Sequence, residues 1–101
     1  MYIHIQALQI KGDSALLRHE LAYVLGQMQN VEAIDPLILV LSDITDDTMV
    51  RHECAEALGA IGDETVLPVL EKFLSDPAIE VSETCEIALD LVKWKIENVC
   101  F

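Results

Sequence analysis

The sequence predicts an all-α fold, a solenoid of about three helix pairs in one domain over residues 1–101, with repeats near 1–30, 31–62 and 63–101. Three observations carry that prediction. The chain repeats itself: Leu17-Arg18-His19-Glu20-Leu21-Ala22 returns 33 residues later as Val50-Arg51-His52-Glu53-Cys54-Ala55, and a looser third copy, Val81-Ser82-Glu83-Thr84-Cys85-Glu86, follows after 31. A period in the low thirties is that of a two-helix solenoid repeat. Each copy carries an apolar stripe at helical spacing: Leu17, Leu21, Leu25, Met28; Val50, Cys54, Leu58, Ile61; Val81, Cys85, Leu89, Val92. No segment alternates cleanly with period 2, as a half-buried strand would.

The elements follow in order. Residues 2–11 read as the remnant of a short helix. Asp13 and Ser14 supply cap and first-turn residues for a first long helix, Asp46 to Thr48 for a second, and Asp76-Pro77 for a third. Gly62 followed by Asp63 marks a stop and a restart. Between the copies lie shorter helices, Val31–Ser42 and Glu64–Ser75, with Pro36 and Pro68 near the first turn, where a missing N–H costs little. Leu37, Ile38, Val40 and Leu41 in one, and Val66, Leu67, Val69, Leu70, Phe73 and Leu74 in the other, are predicted core.

Charge narrows the function. With 6 Lys+Arg against 18 Asp+Glu the formal net charge is −12. Such a surface repels phosphates, which argues against nucleic acid and favours a basic partner or a cation. No unbroken apolar run exceeds Leu37–Leu41, far short of the ~20 residues that span a bilayer. The start lacks a basic segment and a long apolar one, so neither a signal peptide nor a membrane association is expected. Three cysteines, Cys54, Cys85 and Cys100, make no disulfide framework. Free thiols in the cytoplasm, with Cys54 and Cys85 as buried filler, are the expectation.

Two of the three histidines occupy identical Arg-His-Glu contexts one repeat apart. Two residues of helix turn about 200°, so His19 points away from Leu17 and off the core stripe. Its face runs on through Ala22 and Tyr23 to Gly26, as that of His52 does through Ala55 and Glu56 to Gly59. These small residues leave room for something to approach. Neighbouring helices with axes ~8–10 Å apart let two imidazoles converge on one ion at ~2.1 Å. The following Glu20 and Glu53 point about 100° aside, towards an object lying across the groove. Two imidazoles and a carboxylate suit non-haem Fe(II). Duplication alone also copies such pairs, with Arg18 or Arg51 as surface ion-pair partners. The third copy, with Glu83-Thr84 in place of His-Glu, keeps the stripe and drops the pair, so the core does not require it.

Ser14–Gln29 and Met49–Gly62 resemble deoxyhypusine hydroxylase, and Cys85-Glu86-Ile87-Ala88-Leu89-Asp90 is similar to that family's last repeat. The likeness spans about residues 7–92 and the C-terminal half of the family's enzyme, a HEAT-repeat solenoid with two His-Glu pairs in each half. It implies a di-iron monooxygenase that hydroxylates the deoxyhypusine side chain of translation initiation factor five A. His19 and His52 would bind one iron, and Glu20 would reach to a second whose histidines come from another half. Glu53, also a candidate ligand, would act catalytically near the substrate amine or stand behind the ligands and support them. A complete site holds two Fe(II). One half is incomplete, so the chain would be a piece of a longer enzyme, pair with an N-terminal half, or dimerise about a two-fold axis. Its substrate would be a basic protein.

The alternatives are a non-catalytic HEAT-repeat module that binds a protein in its groove and, more weakly, a bilin-lyase-like HEAT protein. Tyr23 is expected to pack, with Gln27 beside it. Trp94, Phe73 and Phe101 are expected as core or terminal caps, and His4 as a bystander. Asp43, Asp46 and Asp47 lack calcium-loop spacing and read as caps in a solvated loop. There is no Gly-rich phosphate loop, Cys-x-x-Cys or nucleophile elbow.

Overall fold

The computed structural model describes residues 2–10 and 14–98, and from residue 5 onward also their side chains. The expectations for Asp13, Cys100, Phe101 and the His4 side chain lie outside what is described.

The described residues form six α-helices: α1 (Tyr2–Gln9), α2 (Ala15–Met28), α3 (Ile34–Ser42), α4 (Thr48–Ile61), α5 (Leu67–Lys72) and α6 (Ile79–Glu97). The long helices α2, α4 and α6 pack flank to flank with α4 in the middle, and α1, α3 and α5 each back onto the long helix that follows. The predicted short helices keep their outer limits but open with 3₁₀ turns, Val31–Ala33 and Glu64–Val66, and the second also closes with one, Phe73–Ser75. Ser14 caps α2 through Leu17 N, Asp47 caps α4 through Met49 and Val50 N, and Gly62 ends α4 at φ 74°. That left-handed turn suits glycine.

The core lies between the two rows. Leu37 and Leu41 of α3, Val50, Cys54 and Leu58 of α4, Leu70 of α5 and Val81, Cys85 and Val92 of α6 are fully buried. Each large aliphatic side chain contributes roughly 1.5–3 kcal/mol by leaving water. Burial pushes the Cys54 thiol far up and that of Cys85 up to about 11, so both are inert filler. The stripe fails in the first copy. Leu17 and Met28 are half exposed, and Arg18 is buried instead. Among the described residues α2 has a long neighbour, α4, on one flank only. Trp94, expected as core or cap, is exposed.

Arg18 and Arg51 overturn the surface ion-pair reading. Arg18 Nε donates to the Leu8 carbonyl at 2.7 Å, and its two terminal nitrogens grip Asp46 at 2.6 and 2.7 Å. One repeat on, Arg51 donates to the Leu41 carbonyl at 2.9 Å and grips Asp76 at 3.3 and 2.5 Å. Each arginine thus ties the end of a short helix to the loop leading into the next long one. Asp46 is therefore buried in an ion pair. Asp76 does not begin the last helix: it accepts from Ala78 N and Arg51, and α6 starts at Ile79. Hydrogen bonds from Arg51 hold the Asp76 carboxyl below its usual value.

Candidate metal centre

The small residues on the histidine faces bring helices together, and a small cleft remains beside them. A Cβ at Gly26 would lie 2.9 Å from Ala57 Cα and Cβ, and one at Gly59 would lie 2.9 Å from Ala88 Cβ. Contact this close, about two turns along from the His-Glu pairs, holds α2 against α4 and α4 against α6. Side chains that point sideways from one helix then reach those of the next.

His19, His52 and Glu53 come together as a result. His19 Nε2 stands 2.7 Å from Glu53 Oε2, and His52 Nε2 stands 3.9 Å from the same oxygen. Both rings therefore present Nε2 to one buried carboxylate oxygen, with the rings themselves half-buried. The 100° offset does not carry Glu53 across the groove. It turns Glu53 towards α2, where the preceding rung's histidine waits. Glu20 has no such neighbour among the described residues. Its Oε1 is 3.8 Å from His19 Nδ1, and its side chain is largely exposed on the open flank of α2.

Two residues outside the predicted set join the group. Glu56 Oε2 lies 3.5 Å from His52 Nε2, one helical turn on. Thr84 Oγ1 lies 2.5 Å from His52 Nδ1. Glu56 was legible as an i, i+4 neighbour of His52, and Thr84 as the third-copy counterpart of Glu53. Tyr23, expected to pack, is half exposed and lines a small cleft with Gly26, Gln27, Glu53, Glu56, Ala57 and Ala60.

Burial raises the Glu53 carboxyl above its ordinary value and Glu56 adds to the shift, while His19 and His52 oppose it. Excess negative charge held out of water favours a cation. Ligand atoms of His52, Glu53 and Glu56 all lie within 4.8 Å of one another. The buried Nδ1 of His19 has no hydrogen-bond partner among the described residues. The atoms within that reach are one imidazole and two carboxylates, a nitrogen and oxygen donor set that suits an iron ion, and His19 adjoins it through Glu53.

A family model for HEAT repeats matches residues 5–90, and the chain belongs to that family. Within it, the sequence is similar to deoxyhypusine hydroxylases: 63% identical over 82 residues to that of Drosophila melanogaster and 58% over 82 residues to that of Homo sapiens. Each match covers 81% of this chain, which spans 27% of the relative's length. The solved structure of human deoxyhypusine hydroxylase in complex with glycerol superposes with a TM-score of 0.87 at 53% identity, covering 93% of this chain and 32% of that one. No helix of the described residues is long and apolar enough to cross a membrane.

Proposed function

We propose that this chain supplies part of the iron site of a deoxyhypusine hydroxylase, acting on the deoxyhypusine side chain of translation initiation factor five A in the cytoplasm. The observation that carries the reading is the convergence of His19 Nε2 and His52 Nε2 on Glu53 Oε2. The similarity to enzymes named for this activity supports it. His19 and His52 hold one iron, and Glu20, exposed on the open flank of α2, is free to serve a second. Bound iron supplies the oxygen-activating chemistry that no side chain provides.

The chain's own groups do the rest. Glu53 lies against both imidazoles and holds His19 in place. With Glu56 it gives the cleft a negative wall, which draws in a cationic amine on a basic protein loop. Gly26 and Gly59 keep the helices close enough for these side chains to meet. The repeats, near 1–30, 31–62 and 63–101, act as one rung each. A complete site takes two iron ions and a second set of histidines, from an N-terminal half or from a second copy across a two-fold axis.

Anaerobic Fe(II) titration combined with a size measurement tests the reading. The expected result is binding that is lost in His52→Ala, with about one iron per chain in an active homodimer. A colourless, iron-free protein whose stability is unchanged by His19→Ala would overturn it and leave the protein-binding module, because a bound ligand stabilises the fold that holds it.

A further inference from the structure

Thr84 occupies, in the third copy, the position that Glu20 and Glu53 hold in the first two. The rungs use that position in the same way. Glu53 of α4 reaches back to His19 of α2, and Thr84 of α6 reaches back to His52 of α4. The loss of the His-Glu pair from the third copy is thus not a simple loss. A carboxylate that faces a ring Nε2 in one rung is replaced by a hydroxyl that faces a ring Nδ1 in the next.

The hydroxyl's direction follows from its second contact. Thr84 Oγ1 is 2.5 Å from the Glu80 carbonyl oxygen, one turn earlier on α6. Threonine in a helix commonly back-bonds in this way. A hydroxyl has one hydrogen to give, and two oxygens this close need it between them. Oγ1 therefore donates to Glu80 and offers His52 only a lone pair. His52 Nδ1, 2.5 Å away, must then carry the ring proton. Nε2 is left with its lone pair, and this is the nitrogen that faces Glu53 and Glu56.

We propose that Thr84 is a positioning residue: back-bonded to the Glu80 carbonyl, its hydroxyl fixes His52 as the Nδ1–H tautomer and keeps Nε2 open towards a cation. The contrast with His19, whose buried Nδ1 has no hydrogen-bond partner among the described residues, makes His52 the pre-set member of the pair. An outer partner on the far ring nitrogen sets tautomer and orientation in many metal-binding histidines. The tautomer is independent of the metal reading; only its consequence for affinity rests on that reading.

The test uses the 101-residue chain with ¹⁵N-labelled histidine and long-range ¹H–¹⁵N spectra at about pH 8, well above the usual histidine range. His52 is assigned by its absence in His52→Gln. The wild type is expected to show His52 protonated at Nδ1. Thr84→Val keeps the branched shape and removes the hydroxyl, so its His52 shifts towards Nε2–H; Thr84→Ser restores Nδ1–H. Co(II) affinity falls on the order of 10–100-fold in Thr84→Val and recovers in Thr84→Ser. A wild-type His52 protonated at Nε2, or an unchanged tautomer in a folded Thr84→Val, would overturn the proposal. The wild-type spectrum decides even if Thr84→Val fails to fold. A tautomer that follows Thr84 in a chain that binds no Co(II) supports the proposal and counts against the metal reading alone.

Discussion

Arg51→Met separates the structural third of the Arg-His-Glu tripeptide from the other two. The side chain of Arg51 is 3% exposed and that of Asp76 is 1% exposed. Methionine keeps most of the stem but removes three donated bonds, one to the Leu41 carbonyl and two to Asp76. Asp76 then keeps the Ala78 amide at 2.9 Å and no counter-charge from Arg51. Breaking a buried pair by removing one partner costs about 3–5 kcal/mol. In a chain of this size each kcal/mol lowers Tm by roughly 4–8 °C, so even a ~3 kcal/mol loss shifts the transition by roughly 12–24 °C. Urea and thermal unfolding followed by circular dichroism read the change. Arg51→Met with Asp76→Asn should cost less than Arg51→Met alone, because the stranded charge is gone. His52→Ala, at a position 26% exposed and outside the apolar core, should stay within about 1 kcal/mol in metal-free buffer. A loss below ~1 kcal/mol for Arg51→Met, the range of an exposed pair, would show that the brace is solvated and the reasoning wrong.

Two further outcomes follow from the same contacts. Gly26→Ala gains up to ~1 kcal/mol of helix propensity, but its Cβ meets Ala57 backbone at 2.9 Å and overpacking costs about 1–3 kcal/mol; a net loss of about 1 kcal/mol in urea unfolding is expected, and a gain would refute the close approach. The Asp76 carboxyl is held below its unfolded value of 3.8 by Arg51, so its stabilisation is present above that pH and lost as pH falls through the lower folded value. Urea midpoints measured downward from pH ~5 should therefore fall more steeply for the wild type than for Asp76→Asn.

The helices and their pairing were legible because both are periodic properties of one strand of text. The stripe Val50, Cys54, Leu58 and the offset of 33 residues need nothing beyond 3.6 residues per turn to be read as stacked rungs. His19 and His52 stood out for the same reason, and so did the resemblance that their context carries. The beginning of α6 did not. Asp76-Pro77 resembles a helix start, yet Asp76 is claimed by an arginine 25 residues earlier, and that long-range bond outweighs a local cap.

What the sequence determined by itself is the angle of each side chain about its own helix, and hence which residues face away from the core. Only the tertiary structure decided what those side chains meet. The distance and stagger between helices are set by Gly26 against Ala57 and Gly59 against Ala88, contacts between residues about thirty positions apart. That approach makes Glu53 the partner of His19 and Thr84 the partner of His52, while the end of α3 and the loop before α6 make Arg51 a buried brace. Spacing along one helix carries no information about its neighbour's height, and packing supplies it.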